Sequence, residues 1–154
     1  MAIGLGKYIV DGGRSLRFSP RHPNKVLQTS TLDLALRDTQ TRFYALDMNR
    51  GEKPFSIDDG FNLLKLSVRD AEKDNSLRLM VSTYDPVDQM IRDGYYDGGR
   101  KVVTFANILQ HEAFPLVSIL DSMLTIGSRE MGRPVEIEFA GNLVCLLYTS
   151  DAAD

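Results

Sequence analysis

Glu136 and Glu138 stand on either side of Ile137 in the stretch PVEIEFA, Pro134 to Ala140. In an extended chain successive side chains point to opposite faces, so Val135, Ile137 and Phe139 share one face and the two glutamates the other. The strand rise separates the glutamate Cα atoms by about 6.5–7 Å, close enough for both carboxylates to approach one hydrated cation and its phosphate ligand. Mg²⁺ is the natural candidate, because it prefers one or two carboxylates completed by phosphate oxygens and water. An amphipathic surface strand alternates acid and hydrophobe in the same way, and taken alone the pair reads first as a solvated face.

The other chemistry-bearing residues form weaker patterns. Gly4-Leu5-Gly6-Lys7 suggests a phosphate loop, but that motif needs four residues between its first glycine and a Gly-Lys pair, then Ser or Thr. Tyr8 follows Lys7, and Ile9 and Val10 occupy the region where a dinucleotide fingerprint would place its third glycine, so both motifs fail. His22 and His111 lie far apart with no ligand-spaced Cys or His nearby, which favours exposed or structural roles over a metal site. The acids in RDAEKDN and YDPVDQM lack the glycine and terminal glutamate of a calcium loop and read as turns. Arg14, Arg17 and Arg21 could line an anion site, although a solvated basic edge is the plainer reading.

The elements that must carry these residues follow from patterning and punctuation. IGLGKYIVDGGRSLRFSP reads as a turn, a short helix or strand around Tyr8 to Val10, a break at Gly12-Gly13, and a strand through Leu16 and Phe18. Ser30 or Thr31 caps a helix carrying Leu32, Leu34 and Leu36, and TRFYALDM reads as a strand after it. NRGEKP is a loop. Two apolar runs follow, Leu63 to Val68 and Leu77 to Val81, around a charged turn; two strands, or a strand and a helix, fit equally well. DGYYDGGR is turn-rich, and KVVTF should be a buried strand. The clearest helix begins near Pro115, with Leu116, Ile119, Leu120, Met123 and Ile126 at helical spacing on a face expected to pack on a sheet. Gly132 and Pro134 end it, and VEIEFA follows as a strand. The expected class is α+β, a mixed sheet packed by helices.

Composition bounds what such a chain can do. With 154 residues, 43% of them hydrophobic and 25% charged, it has the balance of one ordinary soluble domain or a piece of one. Its 18 Lys and Arg are scattered among 21 Asp and Glu, which is no nucleic-acid footprint. No apolar run approaches the roughly 20 residues of a bilayer span, and the N-terminus lacks the order of a signal peptide, so neither nucleic acid nor membrane is an expected partner and the cytoplasm is the default location. The last ten residues, CLLYTSDAAD, can be encoded as TGT CTC TTA TAC ACA TCT GAC GCT GCC GAC, which looks like the transposon end and adapter of tagmentation-type library preparation. Residues 145–154 are therefore expected to be a non-native read-through tail, and Cys145, the sole cysteine, drops out as nucleophile or metal ligand. An opening glycine turn with no element before it suggests that Met1 is an internal methionine.

AIGLGKYIVDGG, the following LRFSPRHP and the late MGRPVEIEFAGNL together resemble the nucleotide-binding domain of the phosphoenolpyruvate synthase and pyruvate phosphate dikinase family, and more closely the large bacterial proteins that carry a PEP/pyruvate-binding domain. The resemblance covers most of residues 2–143, with the last motif the most specific. It implies that residues 1–144 are the C-terminal part of an ATP-grasp domain truncated at both ends, in which ATP lies between two α+β lobes. It further implies phosphoryl transfer from ATP to a histidine on a separate swivelling domain of the parent chain, and from there to pyruvate or a similar small acceptor. By the same resemblance Glu138 is the principal Mg²⁺ and ATP ligand, Glu136 takes the position of the family's other acid, and Gly4 and Gly6 match the glycine turn. Lys7 stands where many members have Glu. The family's ATP-binding Lys and Arg belong upstream of this stretch and its Gln-x-Arg-Pro segment just downstream, so this chain alone is not expected to turn over. A non-catalytic nucleotide-binding or scaffold module of the same fold is the alternative.

Overall fold

Thr31 starts the first regular helix because its hydroxyl accepts the Leu34 N–H at 3.3 Å, satisfying one of the donors a helix start leaves open. The computed structural model describes residues 1–48, 60–75 and 77–142. Within them, α1 (Lys7–Val10) is a single turn of helix, a short 3-10 turn spans Leu27–Thr29, and α2 (Leu32–Asp38) leads into β1 (Arg42–Leu46). β2 (Leu63–Ser67) pairs antiparallel with β1, from Arg42 opposite Ser67 to Leu46 opposite Leu63. The charged stretch between the two apolar runs forms a 3-10 helix (Val68–Asp74), and the second run, from Leu77, leads into β3 (Val81–Asp85). Ser67 caps that 3-10 helix reciprocally: its N–H donates to the Asp70 carboxylate at 2.8 Å while its hydroxyl accepts the Arg69 N–H at 3.3 Å.

β3 is the centre of the second sheet, with β4 (Met90–Asp93) on one side and β5 (Arg100–Val103) on the other, both antiparallel to it. The protein is thus α+β, but among the described residues its strands form two separate antiparallel sheets, of two and three strands, in place of the mixed sheet expected. β3 and β4 are joined by a short turn, which returns the chain antiparallel, and β5 then pairs antiparallel with the other edge of β3, so β4 and β5 run parallel to each other without being neighbours. α3 (Ala106–Leu109) and α4 (Leu116–Met131) complete the order.

The core gathers Ile3, Leu16, Val26, Val68, Leu77, Val81, Val103, Phe105, Ile108 and Leu109, drawn from the N-terminal segment, the 3-10 helix after β2, the second sheet and α3, with Phe43 of β1 packed against it. KVVTF is buried as expected. Buried polar groups stitch the layers together. Gln40 exchanges hydrogen bonds with the Ile3 backbone, accepting from its N–H at 2.8 Å and donating to its carbonyl at 2.8 Å, which ties the N-terminal segment to the start of β1. Thr39 accepts the Val103 N–H at 2.8 Å, joining α2 to β5.

Two expectations about packing fail. Leu16 is buried, yet the stretch through Phe18 forms no strand, because its N–H groups are taken elsewhere: Leu16 donates to the Met1 carbonyl and Arg17 to the Gln28 side chain. α4 does not lay its apolar face on a sheet. It packs against α3 and buries Leu120, while Ile119, Met123 and Ile126 remain 40%, 42% and 53% exposed. The loop expected at residues 49–54 and the tail at 145–154 lie outside the described residues.

Candidate functional site

The acidic stretch begins where α4 must stop. Gly132 adopts φ +63°, the left-handed C-terminal position that glycine occupies without a Cβ penalty, and Pro134 then denies the chain a backbone donor. Residues 134–140 run on without strand pairing, so the strand expected there is absent among the described residues. Alternation alone cannot make a strand; an edge has to be present for it to join, and here the support is a helix. Val135 lies on α4, where a Cβ built at Gly127 would come within 3.0 Å of Val135 Cγ2. Val135 and Ile137 are half-buried, whereas Glu136, Glu138 and Phe139 are exposed. The inward and outward alternation therefore survives for the residues 135 to 138. Neither glutamate makes an ion pair or hydrogen bond with other described residues, which leaves the carboxylates as open oxygen donors.

The glycine turn is fixed to β1. Leu5 donates to the Tyr44 carbonyl at 3.1 Å, and Gly4 sits at φ +94° so close to the strand that a Cβ there would lie 2.8 Å from both Phe43 Cβ and Tyr44 O. Gly6 differs, since a Cβ at that position meets nothing within 4 Å. Packing explains Gly4 and does not explain Gly6. Behind the turn, Tyr8 packs edge-on against Tyr44 with ring centroids 5.9 Å apart, and its hydroxyl accepts the Arg14 N–H. Lys7 pairs with Asp11 at 3.3 Å across one turn of α1.

Among the described residues, no hydrogen bond or ion pair joins the glycine turn to the acidic stretch; the first belongs to β1 and the second to α4. Nor does any group of three or more His, Cys, Asp and Glu side chains among them come together as a metal cage. A site built on Glu136 and Glu138 would hold a cation with two carboxylates at most and would rely on phosphate and water for the rest, as Mg²⁺ permits.

Sequence patterning missed a polar chain on the second sheet. His111 Nε2 lies 3.0 Å from Asp93 Oδ2, Ser82 donates to Asp93 Oδ1 at 3.1 Å, and Ser82 and Thr104 share a 2.6 Å hydrogen bond. The signal that finds it is register, since Ser82 stands opposite Asp93 in the β3–β4 pair. The residue types suggest a nucleophile triad, but the order is wrong: aspartate, not histidine, touches the serine, and Ser82 is 0% exposed. The chain locks β3 to β4 and to the residue after β5. His22 is exposed, in line with the plain reading of both histidines.

No protein-family model matches the chain, and no curated protein or solved structure is significantly similar to it. Among the described residues no helix is long and apolar enough to cross a membrane.

Proposed function

We propose that this chain is the Mg²⁺-ATP-binding part of an ATP-dependent phosphotransferase of the phosphoenolpyruvate synthase and pyruvate phosphate dikinase type, working in the cytoplasm. The observation that carries the reading is the pair Glu136 and Glu138. Both carboxylates are exposed and unpaired among the described residues, on a segment that Val135 sets against α4. Glu138 is the principal ligand, Glu136 its companion, and the Gly4–Gly6 turn shapes the approach to the nucleotide. Glu138 and Glu136 would hold Mg²⁺, which when bound would supply charge neutralisation at the phosphate oxygens. The protein's own contribution is to present the two carboxylates on the same side of one segment. The acceptor histidine belongs to another domain of the parent protein, and pyruvate or a similar small molecule receives the phosphoryl group from it.

Lys7 favours a second reading within the same fold. It stands where the family's glutamate is common and is engaged with Asp11, as a purely structural residue would be. A non-catalytic nucleotide-binding or scaffold module accommodates that change.

The test is Mn²⁺-ATP binding followed by the electron paramagnetic resonance of free Mn²⁺. Glu138→Gln should weaken the ternary complex about tenfold, roughly 1.4 kcal/mol, and Glu136→Gln by less. Equal affinity in the wild-type and Glu138→Gln chains would remove both readings. The DNA flanking the coding sequence separates them: an upstream Lys/Arg pair, a downstream Gln-x-Arg-Pro segment and a phosphohistidine domain support the enzyme, and unrelated domains support the module.

A further inference from the structure

An open cleft of about 590 Å³ lies between the segment after Gly13 and the 3-10 turn, lined by residues that include Arg14, Arg17, Phe18, Lys25, Leu27 and Gln28. Its volume falls within the range of about 300–1,000 Å³ typical of small-molecule sites. One wall is held rigid by a side chain. Gln28 accepts the Arg17 N–H at 2.7 Å and donates to the Ser15 carbonyl at 2.9 Å, while Leu16 between them is buried in the core.

The charge of the cleft is one-sided. Arg14 is anchored by donating from Nη1 to the Arg37 carbonyl at 2.7 Å. Arg17 and Lys25 are exposed, and neither forms an ion pair among the described residues. The single lining acid, Asp38, is already engaged by the Arg37 guanidinium through hydrogen bonds of 2.8 and 3.0 Å, which hold its carboxyl below the usual range. Three cations therefore face a cleft whose one carboxylate is matched from outside it. Phe18 and Leu27 add apolar surface to the cleft, Leu27 being 83% exposed.

From this juxtaposition we infer that the cleft is a second ligand site, independent of the Glu136 and Glu138 pair, that takes a phosphate monoester with an apolar or aromatic body. Arg17 and Lys25 receive the phosphate, one through a planar fork and the other as a point charge, and the body lies along Phe18 and Leu27. No metal is needed, because the cations are the protein's own. Arg21, grouped with Arg14 and Arg17 by spacing, is not part of the lining; Lys25 takes its place.

The test titrates the full 154-residue chain with phenyl phosphate and with inorganic phosphate, in EDTA, following backbone amide resonances. Saturable shifts confined to Gly13, Ser15, Arg17, Ser19 and Gln28 are expected, with phenyl phosphate binding at least threefold tighter than inorganic phosphate. Arg17→Gln combined with Lys25→Gln should weaken phenyl phosphate binding at least fivefold, and Glu138→Gln should leave it unchanged. Both substituted side chains are exposed, and the wild-type shift map stands without any variant. Shifts spread over the basic residues of the whole surface, or a double variant that binds like wild type, would overturn the site. Equal affinity for the two probes would overturn the apolar wall. Loss of binding with Glu138→Gln would show that the cleft is not independent of the acidic pair.

Discussion

Gly4 and Gly6 occupy one turn and answer to different constraints. At Gly4 the backbone is left-handed and the strand beneath leaves no room, so Gly4→Ala should lower stability by about 2–5 kcal/mol, combining backbone strain with overpacking against Phe43 and Tyr44. Gly6 lies at φ −54° in ordinary helical territory with open space above it, so Gly6→Ala should change stability by no more than about 0.5 kcal/mol. Guanidinium titrations of the two variants check the contrast. Gly6→Ala then becomes a clean probe of ligand approach: a methyl group that leaves the fold intact but weakens Mg²⁺-ATP binding would place nucleotide near the turn. Unchanged affinity would remove Gly6 from the site and leave Gly4 as a packing residue only.

Between β4 and β5 the chain makes a glycine-rich turn whose stability comes from a lysine on the following strand. Lys101 is 7% exposed, donates from Nζ to the carbonyls of Tyr96 and Gly98, and lies 4.5 Å from the centre of the Tyr95 ring. Lys101→Met keeps the stem and removes the donors, so it should cost about 2–3 kcal/mol, the value of charged hydrogen bonds with a cation–π contribution. Thermal unfolding followed by circular dichroism checks it, and a loss under about 0.5 kcal/mol would mean that the turn holds without the lysine. This device was invisible in the sequence, where DGYYDGGR announces only a turn. What local chemistry specifies was legible: a cap at Ser30 or Thr31, which the structure gives to Thr31; Pro115 and Gly132 as the ends of α4; and the apolar run of β5. What depends on a distant partner was not. Leu16 to Phe18 and Val135 to Phe139 both alternate like strands, but one is held by Met1 and Gln28, and the other rests on a helix. Periodicity reports which side chains turn inward, and both stretches obey it in part; it does not report whether a sheet edge waits for them.

The α4 surface is where element and molecule disagree. Its first turns enter the core through Leu116, Val117 and Leu120, yet Ile119, Met123, Ile126 and Met131 stay at least 40% exposed on a helix of otherwise ordinary amphipathic pattern. Phe139, just beyond the glutamates, is exposed as well. A chain with so much apolar surface on one helix should bind a hydrophobic dye while folded and should associate as its concentration rises. Met123→Glu combined with Ile126→Glu therefore should lower native-state dye fluorescence and shift light-scattering mass toward the monomer. It should do so with a change in unfolding free energy within about 0.5 kcal/mol, because neither side chain is in the core. A loss of more than about 2 kcal/mol would instead mean that these residues are buried in solution. In the proposed phosphotransferase the same face would meet parts of the parent protein that this chain does not contain. The longer protein should then lose the dye signal without any substitution, and dye binding that persists there would leave the exposed face of α4 without a partner.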